Sequence, residues 1–174
     1  SDRLLTRFHR LFVSMGWEVV TIKYGKLLHR AFQLPGGDAL RQWIDSCPNS
    51  KYSTLVYKGG EAWREVLQAD IGSRPGVSEL LARYDDRVLN TLMTNLGGHC
   101  IESMLEAFEG VKSDRPICFF AYTIKGFGLP LAGHKDNHAG MLTSDQIKHL
   151  KSDHSIDDGE EWSPSAGTGV SGSE

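Results

Sequence analysis

The stretch ICFFAYTI, residues 117–124, decides the fold class of this chain. It is apolar almost throughout and lacks the polar alternation of a strand with one wet face, so it predicts a strand buried on both faces. The run WEVVTIKY, residues 17–24, has the same character. Apolar residues at helical spacing precede each strand, over 2–15 and over 101–110. Two helix-then-strand units predict an α/β fold, a parallel sheet with helices packed on its faces.

The region between the two units predicts an inserted group of short helices over one end of the sheet. Three segments there begin with a glycine-containing turn and continue at helical period: GGDALRQWIDSC (36–47), GGEAWREVLQAD (59–70) and GVSELLARYDDRVLNTLMTN (76–95). Further on, the chain ends in SPSAGTGVSGSE, which is mostly serine and glycine. We therefore expect one ordered domain over 1–151 and a disordered tail over 152–174.

Composition and charge exclude several classes of protein. The net charge of −3 gives no reason to expect nucleic acid or an anionic membrane as a partner. No apolar stretch approaches the ~20 residues that a membrane span needs. The three cysteines, Cys47, Cys100 and Cys118, are an odd number without CxxC spacing and without an evident activating neighbour. This pattern favours a reducing compartment, the cytoplasm or an organelle matrix, over a disulfide framework.

The small number of strands predicts that the chain is part of a domain. The sequence begins with a predicted helix, which is followed by a strand with the apolar run typical of the middle of a sheet. It contains two strongly apolar strands. Doubly wound sheets have about 5–6 strands. The edges of a two-stranded sheet must be covered by another segment. We expect a further N-terminal portion or a partner to complete the domain.

The loop KGFGLPLAGHKDNHAG, residues 125–140, follows the second strand and is the candidate site. Ligands of open parallel sheets bind at the carboxyl ends of the strands. Lys125 is the first charge after the apolar run, so its ammonium would emerge where an anion can sit. Gly126 and Gly128 allow unusual backbone conformations and close approach of a ligand. These three residues suit a diphosphate group.

Two histidines of the same loop, His134 and His138, are candidates for proton transfer because imidazole titrates near neutral pH. Their spacing of four would suit a zinc pair on a helix, but the flanking glycines argue against a helix, so no metal ligand is predicted. The alternative to a functional loop is a mobile surface loop with solvated side chains. A third histidine, His99 in NLGGHC, is expected to cap or pack at the start of a helix.

Three segments carry a family resemblance: LFVSMGWEVVTIKYG (11–25), NLGGHCIESMLEAFE (95–109) and FFAYTIKGFGLPLAGHKDNHAG (119–140). In this order they resemble the thiamine-diphosphate-dependent enzymes of the transketolase group. The chain is most similar there to the homodimeric first (decarboxylating) component of the pyruvate dehydrogenase complex and to related 2-oxoacid dehydrogenases. The resemblance implies thiamine diphosphate and magnesium as cofactors.

The resemblance also gives roles to single residues of the loop. Lys125 matches the family lysine that lies near the cofactor diphosphate. His138 matches the histidine on the active-centre loop that takes part in proton or acyl transfer. His134 matches less closely, because the length of this loop varies among relatives.

Two parts of the family's site have no counterpart in this chain. The family binds magnesium and diphosphate through a GDG motif and a later asparagine, and no GDG occurs here. Its ring-activating glutamate lies in a separate pyrimidine-binding domain. The resemblance therefore implies the C-terminal part of a diphosphate-binding domain, which forms a complete site only in an oligomer with a chain or domain that carries GDG. The alternative is a non-catalytic remnant or truncated fragment that acts as a binding or regulatory module.

Overall fold

The computed structural model describes residues 2–112 and 114–170. Both helix-then-strand units are present, and a helical region connects them. In chain order the elements are α1 (Asp2–Ser14), β1 (Glu18–Ile22), α2 (Lys26–Phe32), α3 (Gly37–Ser46), α4 (Asn49–Lys58), α5 (Gly60–Ile71), α6 (Val77–Ala82), α7 (Asp86–Thr94), α8 (Ile101–Glu109), β2 (Ile117–Ala121) and α9 (Ser144–Asp153). Two short 3₁₀ helices span Gly97–His99 and Lys135–His138.

The strands β1 and β2 pair in parallel, with Glu18 opposite Ile117 and Ile22 opposite Ala121. Phe12 of α1 meets Phe120 with ring centroids 5.9 Å apart, and Phe108 of α8 meets Phe119 at 4.8 Å. Successive side chains of a strand point to opposite faces, so α1 and α8 pack on opposite faces of the sheet. This arrangement confirms the predicted α/β class and the parallel pairing.

The prediction that both strands are buried on both faces was wrong. Within the two strands Ile22 is buried, whereas Thr21 and Ala121 are exposed and the other positions are half-buried. The cause is the partial cover that two helices give to two strands. The covering helices are themselves exposed on their apolar sides, since Leu11 of α1 is 50% exposed and Ile101 of α8 is 73% exposed.

The hydrophobic core lies in the inserted helical region, from Tyr24 after β1 through α7 to Leu96. Its largest fully buried side chains are Leu28, Leu40, Trp63, Leu67, Val77, Leu80, Leu89 and Met93. The predicted insertion of helices is therefore present, and it contains the hydrophobic core. The segment 76–95 is divided into α6 and α7, because the Asp85 carboxylate accepts a hydrogen bond from the Val88 amide (2.7 Å) and starts a new helix.

The C-terminal part of the chain contains α9, which ends at Asp153, two residues beyond the predicted domain boundary at 151. The predicted tail over 152–174 stays a prediction, and residues 171–174 lie outside the described part of the chain. None of the helices within 2–112 and 114–170 is long and apolar enough to span a membrane.

Candidate functional site

A cleft of about 600 Å³ opens at the carboxyl ends of β1 and β2. Lys23, which follows β1, and residues 122–125, which follow β2, form its floor. The end of α3 and the first turns of α4 form one wall, and residues 133–135, 137 and 138 form another. The loop after β2 therefore lies where ligands of parallel sheets bind, as its position in the sequence predicts.

Lys125 and His138 are side by side in this cleft. The Lys125 ammonium contacts Nδ1 of His138. Because an ammonium group only donates hydrogen bonds, Nδ1 accepts, and the proton of the neutral ring is on Nε2. The structure thus brings together two of the predicted site residues and leaves His138 with one ring nitrogen for another partner.

The backbone of the loop is held by Asn137, whose side-chain amide donates to the Lys125 carbonyl (2.6 Å). Gly126 has a φ of 68°, and a Cβ there would overlap the Asn137 amide. Gly128 has a φ of 83°, but a Cβ there would meet no atom of the described residues within 4 Å. Both positions favour glycine because φ is positive, and Gly126 is needed in addition for its close contact with the Asn137 side chain. Their role toward a cofactor stays a prediction.

His134 lies on the cleft wall in contact with α4. Its Nδ1 accepts from the Asp136 amide (3.1 Å), which caps the 3₁₀ helix Lys135–His138, and its ring lies 4.5 Å from that of Tyr57. The preceding Gly133, with a φ of 78°, lets the chain pass close to the Ser53 carbonyl. His134 therefore has a positioning role within the loop, and its catalytic role remains a prediction.

An acidic residue of the cleft, Asp45, was missed by sequence reasoning. Its carboxylate accepts hydrogen bonds from the Lys23 ammonium and from the Tyr24 hydroxyl. Burial alone would raise the pKa of Asp45, but the hydrogen bonds from Lys23 and Tyr24 outweigh it and lower that pKa. Burial, together with Asp45, raises the pKa of Tyr24, so the phenol stays neutral and donates. Lys23 lies inside the predicted strand 17–24 and directly after the observed strand β1, and no sequence pattern links it to Asp45.

The first turn of α4 adds a second feature that favours anions. Asn49 and Ser50 line the cleft, and Pro48, which precedes the helix, has no polar side chain to cap it. The amino end of a helix carries partial positive charge. Lys125 and Lys135 also line the cleft, which therefore offers positive groups and hydroxyls to a negatively charged ligand.

His99 supports the junction between β2 and the loop. Its Nε2 accepts from the Ile124 amide (2.7 Å), and its ring stacks on Phe127 with centroids 3.9 Å apart. Burial lowers the pKa of His99, which favours the neutral ring that this acceptor role requires. The expected packing role of His99 is confirmed.

Comparison with known proteins gives three curated relatives, each named pyruvate dehydrogenase E1 component. The chain is 26% identical to that of Corynebacterium glutamicum over 155 residues, 24% identical to that of Buchnera aphidicola over 152, and 24% identical to that of Haemophilus influenzae over 137. These alignments cover 78–88% of this chain but 15–17% of each relative. No family model matches the chain. The chain is thus distantly similar to a small part of these much longer proteins.

Proposed function

We propose that residues 1–151 are the C-terminal part of the diphosphate-binding domain of a thiamine-diphosphate-dependent 2-oxoacid dehydrogenase of pyruvate type, or of a transketolase-like enzyme. The observation that carries this proposal is the placement of Lys125 beside His138 at the carboxyl end of β2. The distant similarity to pyruvate dehydrogenase E1 components supports it. The complete site requires a complementary chain or domain that carries the GDG motif and the pyrimidine-binding part.

The residues of the cleft fit the anionic end of thiamine diphosphate. A volume of about 600 Å³ lies within the range of small-molecule sites. Lys125 offers a charged donor, and the first turn of α4 offers its positive end. In the bound state the cofactor would act as an electron sink for decarboxylation of the 2-oxoacid.

Magnesium does not fit the residues that the structure describes. The ion prefers an octahedral set of oxygen ligands that includes carboxylates. Within 2–112 and 114–170, no three His, Cys, Asp or Glu side chains are grouped to hold a metal ion. We therefore place the magnesium ligands on the complementary part, where the GDG motif would lie, and assign no step through the ion to this chain.

The chain's own contribution is to hold the diphosphate and to move a proton. Lys125 supplies positive charge at the rim of the sheet, and its contact fixes the tautomer of His138. Nε2 of His138 carries the ring proton and can donate it to the reacting group as Nδ1 takes up a proton from the Lys125 ammonium, so the ring stays neutral. Asn137 holds the backbone at Lys125 and so sets the spacing between the two groups. The thiols Cys47, Cys100 and Cys118 support a reducing compartment, the cytoplasm or an organelle matrix.

Reconstitution tests this function. The chain is co-expressed with a polypeptide that carries GDG and the pyrimidine-binding part, and decarboxylation of pyruvate is measured. We expect turnover in the complex, and a loss of about 10²–10⁴-fold in His138→Ala, the usual range for removal of a general acid or base. His149→Ala, an exposed change on α9 outside the cleft, is the matched control.

Two outcomes would speak against the proposal. Full turnover in the His138→Ala complex would remove His138 from the chemistry. A complex that assembles but does not decarboxylate pyruvate or other 2-oxoacids would favour the alternative, that this chain is a non-catalytic binding or regulatory module.

A further inference from the structure

The short 3₁₀ turn Gly97–His99 is bonded to the ends of both strands. The Gly97 amide donates to the Lys23 carbonyl after β1 (2.9 Å), and the Gly98 amide donates to the Tyr122 carbonyl after β2 (2.9 Å). A Cβ at Gly98 would come within 2.8 Å of that carbonyl oxygen, so the turn lies directly against the chain. Both hydrogen bonds join backbone groups, which do not titrate. The turn is therefore a fixed support for the side chain of His99.

The third hydrogen bond of this turn is different, because a titratable ring makes it. Nε2 of His99 accepts from the amide of Ile124, the residue before Lys125, with 2.7 Å between the two nitrogens. The same ring stacks on Phe127, with centroids 3.9 Å apart. His99 thus contacts the chain on both sides of Lys125, at the point where the loop after β2 begins.

Protonation of His99 would abolish the hydrogen bond to Ile124. Nε2 accepts only while it carries no proton, so the neutral ring has its proton on Nδ1. In the imidazolium form both ring nitrogens carry protons, and the Nε2 proton would point at the Ile124 N–H. Ile124 is half-buried, and the loss of an acceptor by an amide in such a place destabilises the conformation. The charged ring therefore opposes the observed position of the loop.

The charged side chains near the turn have partners of their own. The titratable side chains in the segments next to the turn are Lys23, Cys100, Glu102, Glu106, Tyr122 and Lys125. The Lys23 ammonium pairs with Asp45. The Lys125 ammonium contacts His138. Burial lowers the pKa of His99, and among the described residues no charged side chain adds to this effect.

We propose that neutral His99 is a positioning residue for the loop after β2, and that protonation of its ring releases the loop. His99 acts through Ile124 on Lys125, the next residue. The proposal concerns the contacts of the loop itself, so it holds whichever ligand the cleft binds.

The direction of the pH dependence follows from the lowered pKa of His99. The state with the hydrogen bond binds fewer protons than the released state. The loop is therefore held fully above the ordinary histidine pKa of about 6.5, and the hold weakens as the pH falls through the lower value of the folded chain.

The test is nuclear magnetic resonance of the ¹⁵N-labelled full chain between pH 4 and pH 8. The ring-nitrogen shifts of His99 give its tautomer, and amide exchange gives the protection of Ile124 relative to the intrinsic rate at each pH. We expect the Nδ1–H tautomer at pH 8. As His99 titrates, Ile124 protection should fall by about tenfold, the upper range for one hydrogen bond. An Nε2–H tautomer at pH 8, or constant protection over this range, would overturn the proposal.

Two matched substitutions separate His99 from the other histidines of the loop. His99→Gln supplies a side-chain oxygen that accepts a hydrogen bond but does not titrate, so Ile124 protection should no longer depend on pH. His138→Gln removes a titrating ring from the loop and leaves the bond to Ile124 in place, so the pH dependence should remain. A pH dependence that persists in His99→Gln, or that disappears in His138→Gln, would overturn the assignment to His99.

Discussion

At the level of single residues, the loop after β2 relies on two glycines for different reasons. Both have positive φ, which costs an L-residue about 1–2 kcal/mol. At Gly126 a side chain would in addition displace the Asn137 amide that holds the Lys125 carbonyl. At Gly128 the space around the Cβ position is open within the described chain.

We therefore expect Gly126→Ala to release the loop and Gly128→Ala to leave it in place. Hydrogen exchange over residues 125–138 measures the difference, since local opening is read directly from the loss of protection. Gly126→Ala should raise the exchange rates in this segment by about tenfold or more, and Gly128→Ala by a smaller factor. Equal effects of the two changes would show that the contact with Asn137 does not hold the loop.

Asp45 links β1 to α3 through Lys23 and Tyr24 and gives a pH-dependent contribution to stability. We expect Asp45→Asn to lower the free energy of unfolding by about 1 kcal/mol at pH 7. Hydrogen bonds to a charged group contribute more, about 1.5–3 kcal/mol, but this carboxylate is 44% exposed and is screened by water.

The sign of the pH dependence follows from the lowered pKa of Asp45 in the folded chain. The folded state binds fewer protons than the unfolded state, so the contribution is present above the unfolded pKa of about 3.9 and is lost as the pH falls through the folded value. Urea unfolding of both proteins at pH 7 and pH 3 measures this. A difference that is as large at pH 3 as at pH 7 would refute the ionic role of Asp45.

The sequence predicted that Lys125 and His138 belong to one loop at the end of β2, but it did not predict the contact between them. That contact joins residues 13 positions apart. The pairing of Lys23 with Asp45 crosses 22 positions and depends on how α3 packs. Contacts of this second kind leave no local pattern in the sequence.

At the level of elements, the inserted helices contain the hydrophobic core, and the candidate site lies at the carboxyl ends of the two strands. Leu67 of α5 is fully buried among the helices, whereas Leu11 of α1 is half exposed beside the sheet. Apolar residues at helical spacing predicted both helices, because the pattern gives the apolar face but not what covers it. The predicted burial of the strands failed for the same reason.

This distribution predicts unequal costs for two matched substitutions in the isolated chain. Leu67→Ala should lower the free energy of unfolding by about 2–5 kcal/mol, the range for a buried leucine. Leu11→Ala should lower it by less than about 1 kcal/mol, because little apolar surface is lost from the core. Urea denaturation of the two variants measures both values. A larger cost at Leu11 would place the core around the sheet instead.

At the level of the whole molecule, α1 and α8 expose apolar side chains, and the sheet has two strands within the described residues, as the proposed function requires of one part of a larger domain. The alignments cover 15–17% of the length of each curated relative. Leu11 and Ile101 are exposed on α1 and α8, which pack on opposite faces of the sheet, so a complementary part would have to cover both helices. We expect that part to supply the magnesium ligands.

The most direct measurement is calorimetric titration of thiamine diphosphate with magnesium into the chain alone and into the reconstituted complex. The chain alone should bind weakly or not at all, and the complex tightly. In the complex, Lys125→Ala should weaken binding about ten- to a hundredfold, from the loss of a charged hydrogen bond. His138→Ala and the exposed control Lys112→Ala should leave the affinity nearly unchanged. Micromolar or tighter binding to the chain alone, or an unchanged affinity in Lys125→Ala, would contradict the proposed function.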